Sequence, residues 1–171
     1  MQARTAFFYA TALAYGIANA GTHHVDIEHV GWNVKNIPAE VKFFKCAFPS
    51  TKIDIAFDVD GTPITILHTK KIPYLELIKH SPYPRPGKNH IDSSHIAIVT
   101  KHQNKLIKRI QKCGGETRLK IRLCNGDKTI FTQTPSNHTI EVLNTSIVDF
   151  GKASNNCEKQ GKKAEVTWVK G

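Results

Sequence analysis

The sequence predicts an α+β fold, a single domain in which an antiparallel β-sheet packs on one main helix, with an extra basic helix and disulfide staples. Three observations carry that prediction. Runs that alternate apolar and polar residues recur in the second half, as where Lys120 and Arg122 separate Leu119, Ile121 and Leu123. The stretch Gln103 to Lys112 instead puts Leu106, Ile107 and Ile110 on one helical face. Four cysteines form an even set. At 171 residues, 40% hydrophobic and 22% charged, the chain can bury one core and is not disordered throughout. It is too short for a two-domain enzyme or a large barrel. The net charge of +10 favours a polyanionic partner and identifies none.

The elements follow in chain order. Residues 1–20 read as a secretory signal peptide: Arg4 precedes the apolar run Ala6 to Ile17, and Ala18-Asn19-Ala20 supplies the small residues of a cleavage site. That run is short for a bilayer span, so the expected product is secreted, free of the membrane and begins near Gly21. Residues 21–40 read as an N-terminal arm carrying His23, His24 and His29. A cleaved Gly21-Thr22-His23 end has donors for square-planar Cu(II). A solvated arm is the plainer reading, and no metal or cofactor is expected. The main domain is set at 41–160, with a basic tail at 161–171.

Val41 to Phe44 is apolar enough for a strand. Residues 50–61 read two ways. Ser50 or Thr51 can cap a helix with Ile53, Ala56 and Phe57 on one face and Gly61 past its end. Ile53, Ile55 and Phe57 also alternate, so a strand stays open. Ile64 to His68 reads as a strand, and Ile72 to His80 as a short helix with Pro73 in its first turn. Ser81 to Lys88, with three prolines and a glycine, is a loop. Ile96 to Val99 is a strand. The helix at 103–112 ends at Gly114-Gly115, Asn125-Gly126 turns a hairpin, and Thr129 to Thr132 and Thr139 to Leu143 are strands. No internal repeat is visible.

In a secreted chain Cys46, Cys113, Cys124 and Cys157 imply two disulfides, and three pairings are open. The favoured one joins Cys46 to Cys157 across the domain and Cys113 to Cys124 within a hairpin. Closing the long loop would contribute roughly 4–5 kcal/mol on the chain-entropy model. Zinc is disfavoured because no CxxC spacing occurs. Asn137 and Asn144 begin N-glycosylation sequons. Lys101, Lys105, Lys108, Arg109, Lys112, Arg118, Lys120 and Arg122 form the densest basic region, either a solvated face or a surface for RNA phosphates.

Phe44-Lys45-Cys46 resembles the aromatic-x-Cys signature of the RNase-like effectors of powdery mildew fungi, haustorial proteins on the fold of small secreted fungal guanyl-specific ribonucleases. Ile53 and Ala56 resemble that family's I-x-x-A helix. Tyr83-Pro84-Arg85 is similar to Y-P-H, Asp127 to Phe131 to D-R-V-I-F, and Asn155-Asn156-Cys157 to the N-N-F-x-x-C ending. The resemblance implies a ribonuclease-like domain closed by Cys46–Cys157. The ribonucleases' catalytic positions fall at Arg85, near Ala97, at Lys128 and at Asn144. Ala97 offers no base and Asn144 no acid, so the site is expected to be dead. The implied function is that of a secreted fungal effector and virulence protein, not an enzyme. It would act as a monomer on host protein or RNA, with translocation into host cells an extension of that reading, and it would take no small-molecule substrate. An active secreted ribonuclease toxin with a relocated site is a further alternative.

Ile55 to Thr62 (IAFDVDGT) is similar to the first motif of the haloacid-dehalogenase phosphatases. That resemblance implies Asp58 as nucleophile, Asp60 as acid/base, Thr100 as a phosphate ligand and Mg2+ as cofactor. No later acidic pair completes a magnesium site, and the plainer reading of Asp58 and Asp60 is a solvated helix end.

Overall fold

The computed structural model describes residues 29–70, 72–80 and 95–169. The signal peptide, His23, His24, the Cu(II) end and the proline loop with Arg85 lie outside the described residues. Two β-α-β-β-β units follow one another. The first comprises β1 (His29–Val34), α1 (Ile37–Ala47), β2 (Lys52–Val59), β3 (Thr62–Thr69) and β4 (Ile72–Lys79). The second comprises β5 (His95–Val99), α2 (Gln103–Lys112), β6 (Glu116–Arg122), β7 (Lys128–Gln133) and β8 (Thr139–Leu143). An extension adds α3 (Ile147–Lys159) and β9 (Glu165–Trp168).

Both sheets share one topology. The orders are β1-β4-β3-β2 and β5-β8-β7-β6-β9, so each unit pairs its first strand with its fourth. Those pairs, β1 with β4 and β5 with β8, are parallel, and the other pairings are antiparallel. The expected single antiparallel sheet on one main helix is therefore wrong. The two units repeat one topology, a repeat that the sequence does not show.

Local chemistry explains the elements. Asn36 caps α1, its side-chain oxygen accepting from the Ala39 amide at 3.0 Å, and Pro38 sits in the first turn. Ile37, Glu40, Phe43, Phe44 and Ala47 then share the buried face, which is why Val41 to Phe44 is helical and not the expected strand. The 52–59 segment resolves as a strand because Lys52 to Val59 finds a partner in β3. Residues 72–79 are a strand and not a helix, for β4 is flanked by β1 and β3 and both ladders satisfy its backbone. The helix at 103–112 falls where its periodicity put it, and Gly114 leaves it at φ +93°. Ser146 caps α3 by accepting from the Asp149 amide at 3.1 Å.

One core serves both units. Trp32, Val34, Phe43 and Phe44 join Leu75, Leu77, Ile107, Ile110, Ile130, Ile140 and Val142 in a single buried cluster. Trp32 stacks on His138 with ring centroids 4.4 Å apart, and His138 Nε2 lies 2.9 Å from the Asn33 carbonyl. The two sheets are thereby welded on their helix-bearing sides. Gly115 permits the closest approach: a Cβ there would stand 2.6 Å from Ile110 Cγ2 and 2.9 Å from the Gln133 carbonyl oxygen.

The disulfides are Cys46–Cys113 and Cys124–Cys157, not the pairing favoured from sequence. Cys46 closes α1 and Cys113 follows α2. The two helices pack together, which brings those Cα atoms to 5.7 Å. Cys157, on α3, reaches the β6–β7 turn at Cys124. The expected arm at 21–40 contains β1 and the start of α1, and the expected tail at 161–171 contains β9. β9 hydrogen-bonds along β6 and forms one outer edge of the second sheet. In the first sheet β2 is one of the two outer strands, with Ile53, Ile55, Phe57 and Val59 all exposed. Among the described residues no helix is long and apolar enough to cross a membrane.

Candidate functional site

Each unit presents a histidine and a glutamate on the sheet face turned away from its helix. On β4, Leu75 and Leu77 are buried in the core, so the alternation points Glu76 the other way. On β8, Ile140 and Val142 do the same for Glu141. His29 opens β1 and lies 3.5 Å from Glu76, Nε2 to Oε2. His95 opens β5 and lies 3.0 Å from Glu141, again Nε2 to Oε2.

The two pairs occupy equivalent registers. His29 stands opposite Tyr74, and Glu76 is two residues further along β4. His95 stands opposite Thr139, and Glu141 is two residues further along β8. The residue facing each glutamate is small, Gly31 for Glu76 and Ala97 for Glu141. A Cβ at Gly31 would come within 3.3 Å of Glu76 Oε2, so the missing side chain leaves the carboxylate free to lean toward its histidine. Ala97, which the ribonuclease resemblance put at a lost catalytic glutamate, thus gives room to a carboxylate on the neighbouring strand.

The pairs differ in how firmly they are held. The Glu141 side chain is 6% exposed, and its Oε1 accepts from the Thr129 hydroxyl at 2.8 Å while its Oε2 meets His95. The His95 ring also meets Phe131 edge-on. Glu76 is 19% exposed and its histidine 48%. Among the described residues no three His, Cys, Asp or Glu side chains lie close enough together to hold one metal ion. The two pairs are therefore separate within one chain.

Neither constellation expected from the two resemblances forms. Asp58 lies near the end of edge strand β2, its Oδ1 accepting from the Gly61 amide, and Asp60 sits in the following turn at φ +49°. These contacts build a hairpin, not a nucleophile at the end of a central parallel strand, and Thr100 follows β5 of the other sheet. Lys128 and Asn144 do come together: Asn144 Oδ1 accepts from the Lys128 amide at 2.8 Å and its Nδ2 donates to Asp127 at 3.2 Å. That contact ties two strand ends. It also occupies the amide nitrogen that a glycan at Asn144 would need. Asn137 sits in the β7–β8 turn at φ +70°.

The basic residues divide. Lys101 and Lys105 border one groove, Lys120 and Arg122 border another, and Asn104 and Lys128 are common to both. Arg109 lines an apolar groove that Lys105 also borders. Lys108 and Lys112 are exposed along the helix, and Arg118 is half-buried on β6.

The histidine–glutamate pairs carry a sequence signal that motif spacing passes over. Leu75-Glu76-Leu77 and Ile140-Glu141-Val142 each set a carboxylate between two apolar residues in strand alternation, and each unit starts its first strand with a histidine.

No protein-family model matches this sequence, and no curated protein matches it significantly. Solved structures do match. The fosfomycin resistance protein FosX of Mesorhizobium loti superposes with a TM-score of 0.57 at 12% identity, covering 77% of this chain and 98% of that one. The trypanothione-dependent glyoxalase I of Leishmania major gives 0.57 at 21%, covering 81% and 99%. FosX of Listeria monocytogenes, solved as a glutamate-to-glutamine mutant with Mn(II) and 1S,2S-dihydroxypropylphosphonic acid, gives 0.57 at 15%, covering 72% and 93%. At these identities the likeness is one of fold: two β-α-β-β-β units of the FosX and glyoxalase type. That finding overturns the ribonuclease-like fold, and with it the effector and virulence role, the dead ribonuclease site and the ribonuclease toxin. The haloacid-dehalogenase phosphatase falls too, since its parallel sheet is absent from the described residues. The neighbours named by activity are enzymes, against the expectation of a non-enzyme.

Proposed function

We propose that this chain is a divalent-metal enzyme acting on a small oxygen-bearing substrate, with His29, Glu76, His95 and Glu141 as its metal ligands. The observation that carries the reading is the repetition of a His–Glu pair at one register in both units. The donor set fits. Imidazole and carboxylate suit Mn(II), Ni(II) and Zn(II). Two ligands about 2.1 Å from one ion stand about 3.0–3.5 Å apart, and the two pairs have separations of 3.0 and 3.5 Å. A bound ion would act as a Lewis acid toward a substrate oxygen.

The chain's own residues divide the remaining work. Glu141, buried and hydrogen-bonded at both oxygens, is an anchored ligand that keeps one charge in a fixed place. Glu76 is more open and its carboxylate meets only His29 among the described residues, so it is the less tightly held of the two carboxylate ligands. Neither pair alone completes a centre. A second copy of the chain would supply the missing donors, a first-unit pair of one copy meeting a second-unit pair of the other. The neighbours' names carry the comparison to this chain: one was solved with Mn(II), and others are called fosfomycin resistance protein and glyoxalase I.

Calorimetric titration of the full chain with Mn(II), alongside sedimentation velocity, tests this. The expected result is one ion per chain, a dimer, and at least tenfold weaker binding in His95→Ala. No saturable binding of Mn(II), Ni(II) or Zn(II), or binding unchanged in a His29→Ala/His95→Ala variant, overturns it. Fosfomycin consumption and the glyoxalase I reaction are the first activities to assay.

A further inference from the structure

We infer that the groove between the end of α1 and the outer face of α2 binds a small amphipathic organic acid, an apolar body with one anionic head. This site is separate from the histidine–glutamate pairs: His95 opens β5, whereas Ile98 and Val99 at the far end of that strand line the groove. The groove has a volume of about 330 Å³, within the range of small-molecule sites. Its walls are Phe48 and Pro49 after α1, Ile98 and Val99 of β5, and Leu106 of α2. Val99 is 53% exposed, an apolar side chain that a ligand would cover.

The polar side of the groove has one sign. His102, Lys105 and Arg109 follow each other along α2 at three- and four-residue spacing and so form one stripe beside Leu106. No aspartate or glutamate lines the groove, and no ion pair to Lys105 or Arg109 exists among the described residues. Thr100 accepts the His102 amide at 3.1 Å through its hydroxyl oxygen, which leaves its O–H to donate. An apolar trough edged by two permanent cations and a free hydroxyl donor is complementary to a carboxylate with a hydrocarbon tail or ring. A neutral apolar ligand would leave the cations unused, and a cationic one would be repelled. The arginine offers a planar fork to a carboxylate, and the lysine a second charge.

The test uses the full chain and decanoate below its micelle concentration, with decan-1-ol and decyltrimethylammonium as neutral and cationic probes. Binding is followed by calorimetry and by methyl NMR shifts at Ile98 and Leu106. Saturable one-to-one binding of decanoate is expected, with decan-1-ol at least tenfold weaker and no binding of the cation. A Lys105→Ala/Arg109→Ala variant weakens decanoate at least tenfold. Leu106→Trp, which fills the trough, abolishes binding while the thermal transition is retained. Lys108→Ala/Lys112→Ala removes the same charge from the same helix outside the groove and leaves the affinity within twofold. Equal affinity for decanoate and decan-1-ol, equal weakening by both double variants, or no saturation overturns the assignment. These readouts involve no metal and no turnover, so they fail independently of the proposed metal centre.

Discussion

Removing the disulfides one at a time separates a bond that holds the core from one that holds an appendage. Cys46–Cys113 spans 67 residues and Cys124–Cys157 spans 33. If each constrains the whole unfolded chain, loop-closure entropy assigns them roughly 4.4 and 3.7 kcal/mol. The structure says that only the first acts globally. Its bond joins α1 to α2, whose Phe43, Phe44, Ile107 and Ile110 sit in the shared core, so those helices cannot separate without unfolding both units. Helix α3 buries only Cys157. Without its bond, α3 can leave the surface while the sheets stay folded. Cys46→Ala/Cys113→Ala should therefore lower the main calorimetric transition by on the order of 10–15 °C, at about 2–4 °C per kcal/mol for this chain length. Cys124→Ala/Cys157→Ala should lower it by less than half as much, while amides 147–159 lose protection in hydrogen exchange. Unchanged protection in α3, or a transition lowered as far as in the first variant, would refute the reasoning.

Further outcomes follow from single residues. Burial holds the Glu40 carboxyl above its ordinary 4.5; Thr134 and Ser136 oppose the shift, but neither oxygen has a partner in good hydrogen-bond geometry. The folded state thus keeps this proton to higher pH than the unfolded state does. The stability Glu40 contributes is full below about 4.5 and is lost as pH rises through its folded value. Glu40→Gln should flatten that part of the urea midpoint measured from acid to neutral pH, and an unchanged slope would contradict it. Gly115→Ala, with its Cβ 2.9 Å from a backbone oxygen, should cost about 1–3 kcal/mol in urea unfolding. Ala97→Leu places bulk beside Glu141 on an exposed strand face; it should weaken Mn(II) at least tenfold in calorimetry with little change in the thermal transition.

What could be read in the sequence was local. The helix at 103–112 carries its own apolar stripe and its own glycine stop, and the strands at 116–122, 128–133 and 139–143 carry their alternation and the Asn125-Gly126 turn. Pairing between distant segments was not legible. Ile72 to His80 reads as a short helix with Pro73 in its first turn until two neighbouring strands claim its backbone. Val41 to Phe44 reads as a strand until the Asn36 cap, five residues earlier, is counted. The same blindness hid the site. His29 looked like part of a solvated arm, while Glu76 fell in an expected helix and Glu141 in an expected strand. What joins them is register across a sheet, which spacing along the chain does not encode. The disulfides failed for that reason too: Cys46 and Cys113 are neighbours only because two helices from separate units share one core.

The outer strands β2 and β9 differ in what they offer an arriving copy. β9 pairs along β6 and is itself the edge of that flank, four residues long. β2 still offers its positions, and with them four exposed apolar side chains. A protein with two open flanks can add copies without end, each arrival presenting a fresh one. At β2 two copies can meet about a two-fold axis, each copy's strand closing its partner's flank. Pairing there covers the longer of these two flanks and its four apolar side chains, whereas β9 offers an arriving strand half that length.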